Sequence, residues 1–165
     1  MDDMVPEGIG DVAPYPDWNA AADGALRFLH QHIGWDVWMV TRVAGEHQIV
    51  LQSHPSGVVR PGAHLLWEDS FCRQMIEGRA PRLATVTAAV PGYASRTMGL
   101  AKDVAAYLGV PLVGPDGQLF GTLCSVSFRA KPRSAARDLP LVEIVARMLS
   151  TLLAAGLEAP PMPPL

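Results

Sequence analysis

Two apolar, β-prone runs stand out in the second half of the chain, within residues 104–128 and on either side of Pro115-Asp116-Gly117. This arrangement is typical of an antiparallel hairpin. The second run contains small or weakly polar side chains, where a strand built only for packing more often has Val or Ile. These residues are Gly121, Thr122, Cys124 and Ser125. A sheet face with room on it can form the floor of a pocket.

The first half of the chain shows a helical pattern followed by a second strand pattern. Apolar residues at helical spacing follow Asp17, a plausible N-cap, and predict a helix to about Gln31 that is ended by Gly34. The β-prone runs at 35–43 and 48–53 then predict a first hairpin.

The remaining segments alternate between helical and irregular patterns. One apolar face predicts a short helix over 68–77, and closely spaced Pro and Gly predict a long connection with short helical turns over 80–103. A broad apolar stripe predicts a final helix over 138–157. The flanking segments predict a flexible lead-in at 1–16 and a Pro-rich tail at 158–165.

This order of elements predicts one α+β domain over 17–157, with a central antiparallel sheet covered on both faces. The first and last helices are expected to cover one face together. The other face is left to the short middle helix and the 80–103 connection, which seal a sheet poorly. We therefore expect a cavity on that face.

Composition narrows the classes of partner. The chain has 165 residues, enough for one core, and 18% charged residues with a net charge of -3 give no broad basic surface for nucleic acid. The first residues lack a signal-peptide pattern, and no apolar run approaches the roughly 20 residues that span a bilayer. We expect a cytoplasmic protein that binds no membrane and keeps its two cysteines reduced.

Three segments in this order resemble the GAF domain, a small sensory module of signalling proteins. They are residues 36–43, residues 67–75, and the pair 107–113 and 120–124, which contains Gly-Val-Pro-Leu followed by Gly-Thr-Leu-Cys. The middle segment is similar to bacterial GAF domains that precede diguanylate cyclase or other signalling output domains in actinobacteria. The resemblance implies a pocket between the sheet and the variable connection, and a homodimer formed through the first and last helices.

The resemblance also favours one of the two orientations that strand alternation leaves open, with Val37, Met39 and Thr41 facing the pocket. Trp67 and Tyr93 either stack on a flat ligand or only pack the lid, and Ser70 either contacts ligand or caps the helix. The candidate ligand-binding residues are Met39, Thr41, Trp67, Ser70, Cys72, Tyr93, Tyr107, Thr122, Cys124 and Val126.

Cys72 and Cys124 allow two interpretations. One branch of the family reduces free methionine sulfoxide with cysteines, and a nucleophilic thiol needs a lowered pKa and access. The other interpretation is a pair of buried thiols that act as small hydrophobic side chains. The chain departs from the reductase pattern, which uses a third cysteine, because it has only two.

Cofactor sites are not expected. A bilin attached in the phytochrome manner needs a cysteine followed by histidine, which neither Cys72-Arg73 nor Cys124-Ser125 supplies. No histidine pairs with cysteine or carboxylate at metal-ligand spacing. His54 and His64 come closest to haem ligands, because they are expected to border the cavity. No catalytic set is recognisable.

The sequence thus predicts a non-catalytic sensory or regulatory GAF domain. It would bind an unidentified small ligand, relay a signal through a helical dimer to an output domain, or do both. Two alternatives stay open: a thiol-dependent reductase of the free methionine sulfoxide type, and a purely structural dimerisation module whose pocket is filled by its own side chains.

Overall fold

The computed structural model describes residues 7–96, 99–159 and 161–162. Its longer elements are the helices α1 (Trp18–Ile33), α2 (Phe71–Ile76), α3 (Pro91–Ala94) and α4 (Leu139–Ala154), and the strands β1 (Val37–Ala44), β2 (His47–His54), β3 (His64–Leu66), β4 (Leu83–Ala84), β5 (Ala106–Val113) and β6 (Leu119–Ser127). Short 3-10 turns lie at Gly10–Val12, Trp67–Asp69, Thr87–Ala89, Gly99–Asp103 and Arg133–Asp138. None of the helices within the described residues is long and apolar enough to cross a membrane.

The strands form one six-stranded antiparallel sheet in the order β3-β2-β1-β6-β5-β4. The two predicted hairpins are β1-β2 and β5-β6, and they meet at the centre, where Met39 lies opposite Cys124 and Thr41 opposite Thr122. The α+β architecture predicted from the sequence is therefore confirmed, with α1 and α4 packed together against one face.

Two separate hydrophobic cores lie on the two faces of the sheet. On the helical face, Trp38 and Val40 pack with residues of α1 and α4. On the opposite face, Val37 and Met39 pack with α2 and with residues of the 80–103 connection. Because neighbouring strand residues point to opposite faces, this division confirms the predicted strand orientation.

Trp18 joins the two terminal helices. Its side chain is fully buried, and its indole Nε1 donates a hydrogen bond to the Leu149 carbonyl of α4 over 3.0 Å. Its ring also lies edge-on to Phe120 of β6, with the ring centroids 5.5 Å apart. One side chain at the start of α1 therefore contacts both the last helix and the sheet.

The middle helix is shorter than predicted. The 68–77 pattern is split into a 3-10 turn at Trp67–Asp69 and α2 at Phe71–Ile76. Ser70 between them has extended backbone, and its hydroxyl accepts a hydrogen bond from the Arg73 amide over 3.1 Å. The split follows from this N-cap, because an N-cap residue has non-helical dihedrals.

Two of the small residues in β6 do not face the cavity. Ser125 donates its hydroxyl hydrogen bond to the Val37 carbonyl over 2.7 Å. Gly121 lies against β1, where a Cβ would come within 1.8 Å of the Thr41 carbonyl oxygen. Of the small residues interpreted as pocket floor, Cys124 lines the cavity and Thr122 lies on the same face but is fully buried, while Gly121 permits a close approach of two backbones.

Candidate ligand-binding cavity

A cavity of about 410 Å³ lies between the sheet and the α2 side of the domain. Its volume falls within the range of about 300–1,000 Å³ that is usual for small-molecule sites. The strands β1, β2, β5 and β6 supply its floor, and α2, the loop before β3 and the turn before β5 supply its walls. The cavity is thus on the face where the sequence predicted it.

Most of the candidate residues predicted from the sequence come together here. The cavity lining includes Met39, Thr41, Ser70, Cys72, Tyr107, Cys124 and Val126. Thr122 does not line the cavity but is fully buried and bonded to residues that do. That these residues bind a ligand stays a prediction.

The two aromatic candidates lie outside the lining. Tyr93 is buried, with its ring 5.3 Å from that of Phe71 and 5.0 Å from that of Tyr107, and its hydroxyl donates to the Pro81 carbonyl. Trp67 is half-buried and packs against the core of the cavity face. These positions fit the lid-packing alternative better than stacking on a ligand.

A chain of hydrogen bonds runs along the floor of the cavity. The Gln48 amide Nε2 donates to the Thr41 hydroxyl over 3.0 Å, and the Thr41 and Thr122 hydroxyl oxygens are 2.7 Å apart. The Thr122 hydroxyl lies 3.3 Å from the sulfur of Cys72. Because the amide NH₂ can only donate, the hydroxyl protons can point in sequence from Thr41 to Thr122 and on to the sulfur.

Further donors converge on the Cys72 sulfur. The Tyr107 hydroxyl donates to it over 2.9 Å, and the Thr122 hydroxyl beside it is also 3.8 Å from the Cys124 sulfur. Both cysteines are free and buried. The bond from Cys124, with further help from Thr122, Tyr107 and Gln48, outweighs desolvation and lowers the pKa of Cys72 to about 6. The thiolate form of Cys72 is therefore favoured near neutral pH.

The pKa values of Cys124 and Tyr107 shift in the opposite direction, upward. The hydrogen bond to Cys72 and burial raise the pKa of Cys124. Burial, followed by the charge of Cys72, raises the pKa of Tyr107. These pKa shifts together favour a thiolate at Cys72 with Cys124 and Tyr107 protonated beside it.

Gly109 and Gln48 also shape the site, and neither was among the residues predicted from the sequence. A Cβ at Gly109 would lie 2.0 Å from the Tyr107 hydroxyl oxygen, so the missing side chain gives that hydroxyl its place beside Cys72. Gln48 is a buried polar residue on the cavity side of β2. Gln48 could have been recognised from the sequence, because it lies two residues before Val50 on the same strand and so points to the same, inward face.

The lining carries little charge. Asp69 and His64 are titratable lining residues besides Cys72, Cys124 and Tyr107, and no Arg or Lys lines the cavity within the described part of the chain. The prediction that His54 borders the cavity is wrong, because its ring packs edge-on against His30 of α1, 5.1 Å away. Burial is the largest cause that lowers the pKa of His54. Among the described residues, no three His, Cys, Asp or Glu side chains are placed to hold a metal ion.

Comparison with known families decides the identity of the fold. The family model described as GAF domain matches residues 17–153. The chain belongs to the GAF domain family. GAF domains are sensory and regulatory modules, so the chain carries a module of this kind.

Solved structures agree with this assignment. The GAF domain of A. aeolicus nlh2 in an inactive state has a TM-score of 0.62 at 10% identity, over 84% of this chain and 85% of that one. The GAF domain of a two-component sensor histidine kinase from Bacillus halodurans has a TM-score of 0.55 at 13% identity, over 84% and 92%.

A third similar structure is an enzyme. Free methionine-R-sulfoxide reductase from Neisseria meningitidis, in complex with its substrate, has a TM-score of 0.61 at 17% identity, over 88% of this chain and 83% of that one. At these identities the likeness concerns the fold alone. The sequence matches none of the curated proteins with which it was compared.

Proposed function

We propose that this GAF domain is a non-catalytic sensor that binds a small, uncharged and mainly apolar ligand in the cavity. The observation that carries the proposal is the cavity of about 410 Å³, with apolar walls such as Met39, Val50 and Phe71 over a hydrogen-bonded polar floor. An apolar lining with a few placed polar groups is the usual composition of a small-molecule site. A cavity of this size speaks against the structural alternative, in which side chains of the domain fill the pocket.

The charge of the lining narrows the ligand class. A buried phosphate or carboxylate needs paired cations or several N–H donors to offset its desolvation. Asp69 adds a negative charge, and Arg and Lys are missing from the described lining residues. This composition disfavours cyclic nucleotides, and also haem and bilins, whose propionates are anionic.

Native mass spectrometry of the protein purified from its own host tests the proposal. We expect an excess mass that is lost on denaturation. Ala63→Trp, which places a large ring at an exposed lining position, should abolish the excess mass. Ala130→Trp, at an exposed position outside the cavity, is the matched control and should retain it. A bare mass in the wild-type protein, or equal retention in both variants, would contradict ligand binding in this cavity.

We further propose that the domain relays its state to an output domain through a symmetric dimer formed by α1 and α4. Leu141, Ile144 and Met148 form a stripe on α4 with 37%, 44% and 59% exposure, and Phe28 of α1 is 42% exposed. Large apolar side chains at spacings of three and four residues share one helix face. A second copy presents the same stripe, which suits a two-fold interface.

Charged substitutions in this stripe are expected to dissociate the dimer. Met148→Glu combined with Ile144→Glu should shift the wild-type dimer to monomer, because each buries a carboxylate against apolar surface. Gln31→Glu, at an exposed position on α1, is the control and should leave the dimer intact. Sedimentation velocity measures the oligomeric state of the wild-type protein, the double variant and the control. A wild-type protein that is monomeric at high concentration would rule out this interface.

Thiol-dependent reduction of free methionine sulfoxide is a second candidate, because Cys72 and Cys124 lie together in the cavity. The reductase from Neisseria meningitidis has the same fold. If the candidate is correct, the protein turns over free methionine-R-sulfoxide with dithiothreitol, and Cys72→Ser and Cys124→Ser each abolish turnover. Absence of turnover in the wild-type protein would exclude it.

A further inference from the structure

The sulfur pair is more elaborate than apolar ligand binding requires. A cavity that only needs apolar contacts gains nothing from a chain of donors that ends on one sulfur. Yet the Tyr107 hydroxyl lies 2.9 Å and the Thr122 hydroxyl 3.3 Å from the Cys72 sulfur. The Thr122 hydroxyl also reaches the Cys124 sulfur, over 3.8 Å. Hydrogen bonds of this number stabilise a thiolate, which is the reactive form of cysteine.

We propose that Cys72 and Cys124 form a redox pair that a small hydroperoxide oxidises to an intramolecular disulfide. Both sulfurs line the cavity, so a molecule that enters it meets the pair directly. They lie on different elements, α2 and β6, and the Thr122 hydroxyl is 3.3 Å from the Cys72 sulfur and 3.8 Å from the Cys124 sulfur, so the two sulfurs flank one hydroxyl group. An uncharged hydroperoxide suits a cavity with little charge.

The oxidation proceeds in two balanced steps. The Cys72 thiolate attacks the terminal oxygen of the hydroperoxide ROOH, an S–O bond forms, the O–O bond breaks, and RO⁻ takes a proton from solvent to leave as the alcohol ROH. The thiol of Cys124 then attacks the sulfur of the sulfenic acid at Cys72. The S–S bond forms, the S–O bond breaks, and the hydroxide leaves as water with the proton of Cys124. Two thiols lose two electrons, and the hydroperoxide gains them.

The roles of the two sulfurs follow from their hydrogen bonds. Cys72 receives the donors and is the attacking thiolate, whereas Cys124 keeps its proton and is the resolving thiol. In the disulfide, Cys72 no longer offers an anionic acceptor to Tyr107 and Thr122. The polar floor of the cavity therefore changes with the oxidation state.

Intact-mass spectrometry of the whole chain, treated with hydrogen peroxide and then with dithiothreitol, tests the proposal. We expect the wild-type chain to lose two hydrogen atoms on oxidation and regain them on reduction, without cross-linking between chains. Cys124→Ser should instead add dimedone at Cys72, which traps the sulfenic acid, and Cys72→Ser should show neither change. Tyr107→Phe, which removes one donor to the thiolate, should slow the oxidation roughly 10-fold.

Wild-type chains that keep both thiols, gain oxygen only at methionine, or cross-link between copies would overturn the proposal. The change in mass is measured on protein that starts reduced and ligand-free, so the experiment needs no bound metabolite. If the protein binds no ligand, the proposed disulfide can still form. If no disulfide forms, the proposed ligand binding is unaffected. The oxidation is stoichiometric in protein, which separates it from turnover of methionine sulfoxide.

Discussion

Iodoacetamide should modify Cys72 with a rate that rises through about pH 6 and levels off above pH 7, while Cys124 stays largely unmodified. The reason is that hydrogen bonds, with that from Cys124 the largest, lower the pKa of Cys72 to about 6. The fraction of Cys72 that is thiolate increases with pH, so the midpoint of the plot of modification rate against pH reports this pKa. An ordinary cysteine has its midpoint near pH 8.5. Peptide mass spectrometry at a series of pH values gives both rates.

Two tyrosines provide a matched pair for this experiment. Tyr107→Phe removes the hydroxyl that donates to the Cys72 sulfur and should move the midpoint to higher pH. Tyr93→Phe removes a hydroxyl in the same ring cluster that donates to the Pro81 carbonyl, and should leave the midpoint in place. Gly109→Ala should act like Tyr107→Phe, since its methyl group would displace the Tyr107 hydroxyl.

Other titratable groups in the cavity require one control. Asp69 and His64 line it as well. His64→Gln should preserve the midpoint near pH 6 if the thiol itself is observed. A wild-type rate that keeps rising to pH 9, or equal modification of Cys72 and Cys124, would show that the hydrogen bonds do not favour the Cys72 thiolate.

Trp18→Ala should remove much of the stability of the domain. Substitution of a buried Trp by Ala costs about 3–5 kcal/mol, and a typical domain has only about 5–15 kcal/mol in total. Here the side chain is fully buried, and the change also leaves the Leu149 carbonyl without its indole partner. We expect a large decrease in the urea midpoint, measured by far-ultraviolet circular dichroism.

Phe28→Ala is the matched control, because it truncates an aromatic residue on the same helix that is 42% exposed. Its effect on the free energy of unfolding should stay within about 0.5 kcal/mol for the monomer. Equal losses for both variants would mean that the contact of α1 with α4 and the sheet does not depend on Trp18. Measurement at low protein concentration keeps any contribution of a dimer out of the comparison.

The sequence predicted the central part of this fold because the signals there are local. β-Prone runs on either side of turn residues defined the two hairpins, and strand alternation, with the family resemblance, assigned Met39, Thr41 and Tyr107 to one face. Helical spacing after Asp17 located α1, whose N-cap is indeed Asp17. These patterns are set by neighbours within a few residues, so they can be recognised without tertiary information.

The parts that the sequence analysis missed depend on distant contacts. The edge strands β3 and β4 have three and two residues, too few for a visible period, and they form only by pairing with β2 and β5. Cys72 lies on α2 and Cys124 on β6, and neither segment alone reveals that both sulfurs lie beside the Thr122 hydroxyl. Gly109 was unrecognised because its role is defined by the position of one hydroxyl group.

The alternation of the central strands has a consequence for how such a domain can diverge. Trp38 and Met39 are neighbours in the chain, yet one belongs to the core under α1 and α4 and the other to the cavity. Substitutions at cavity positions therefore leave the packing of the helical face intact, and substitutions at the alternate positions leave the lining intact. Evolution or a protein engineer can thus change what the domain recognises one residue at a time, while the scaffold that keeps it folded is inherited unchanged.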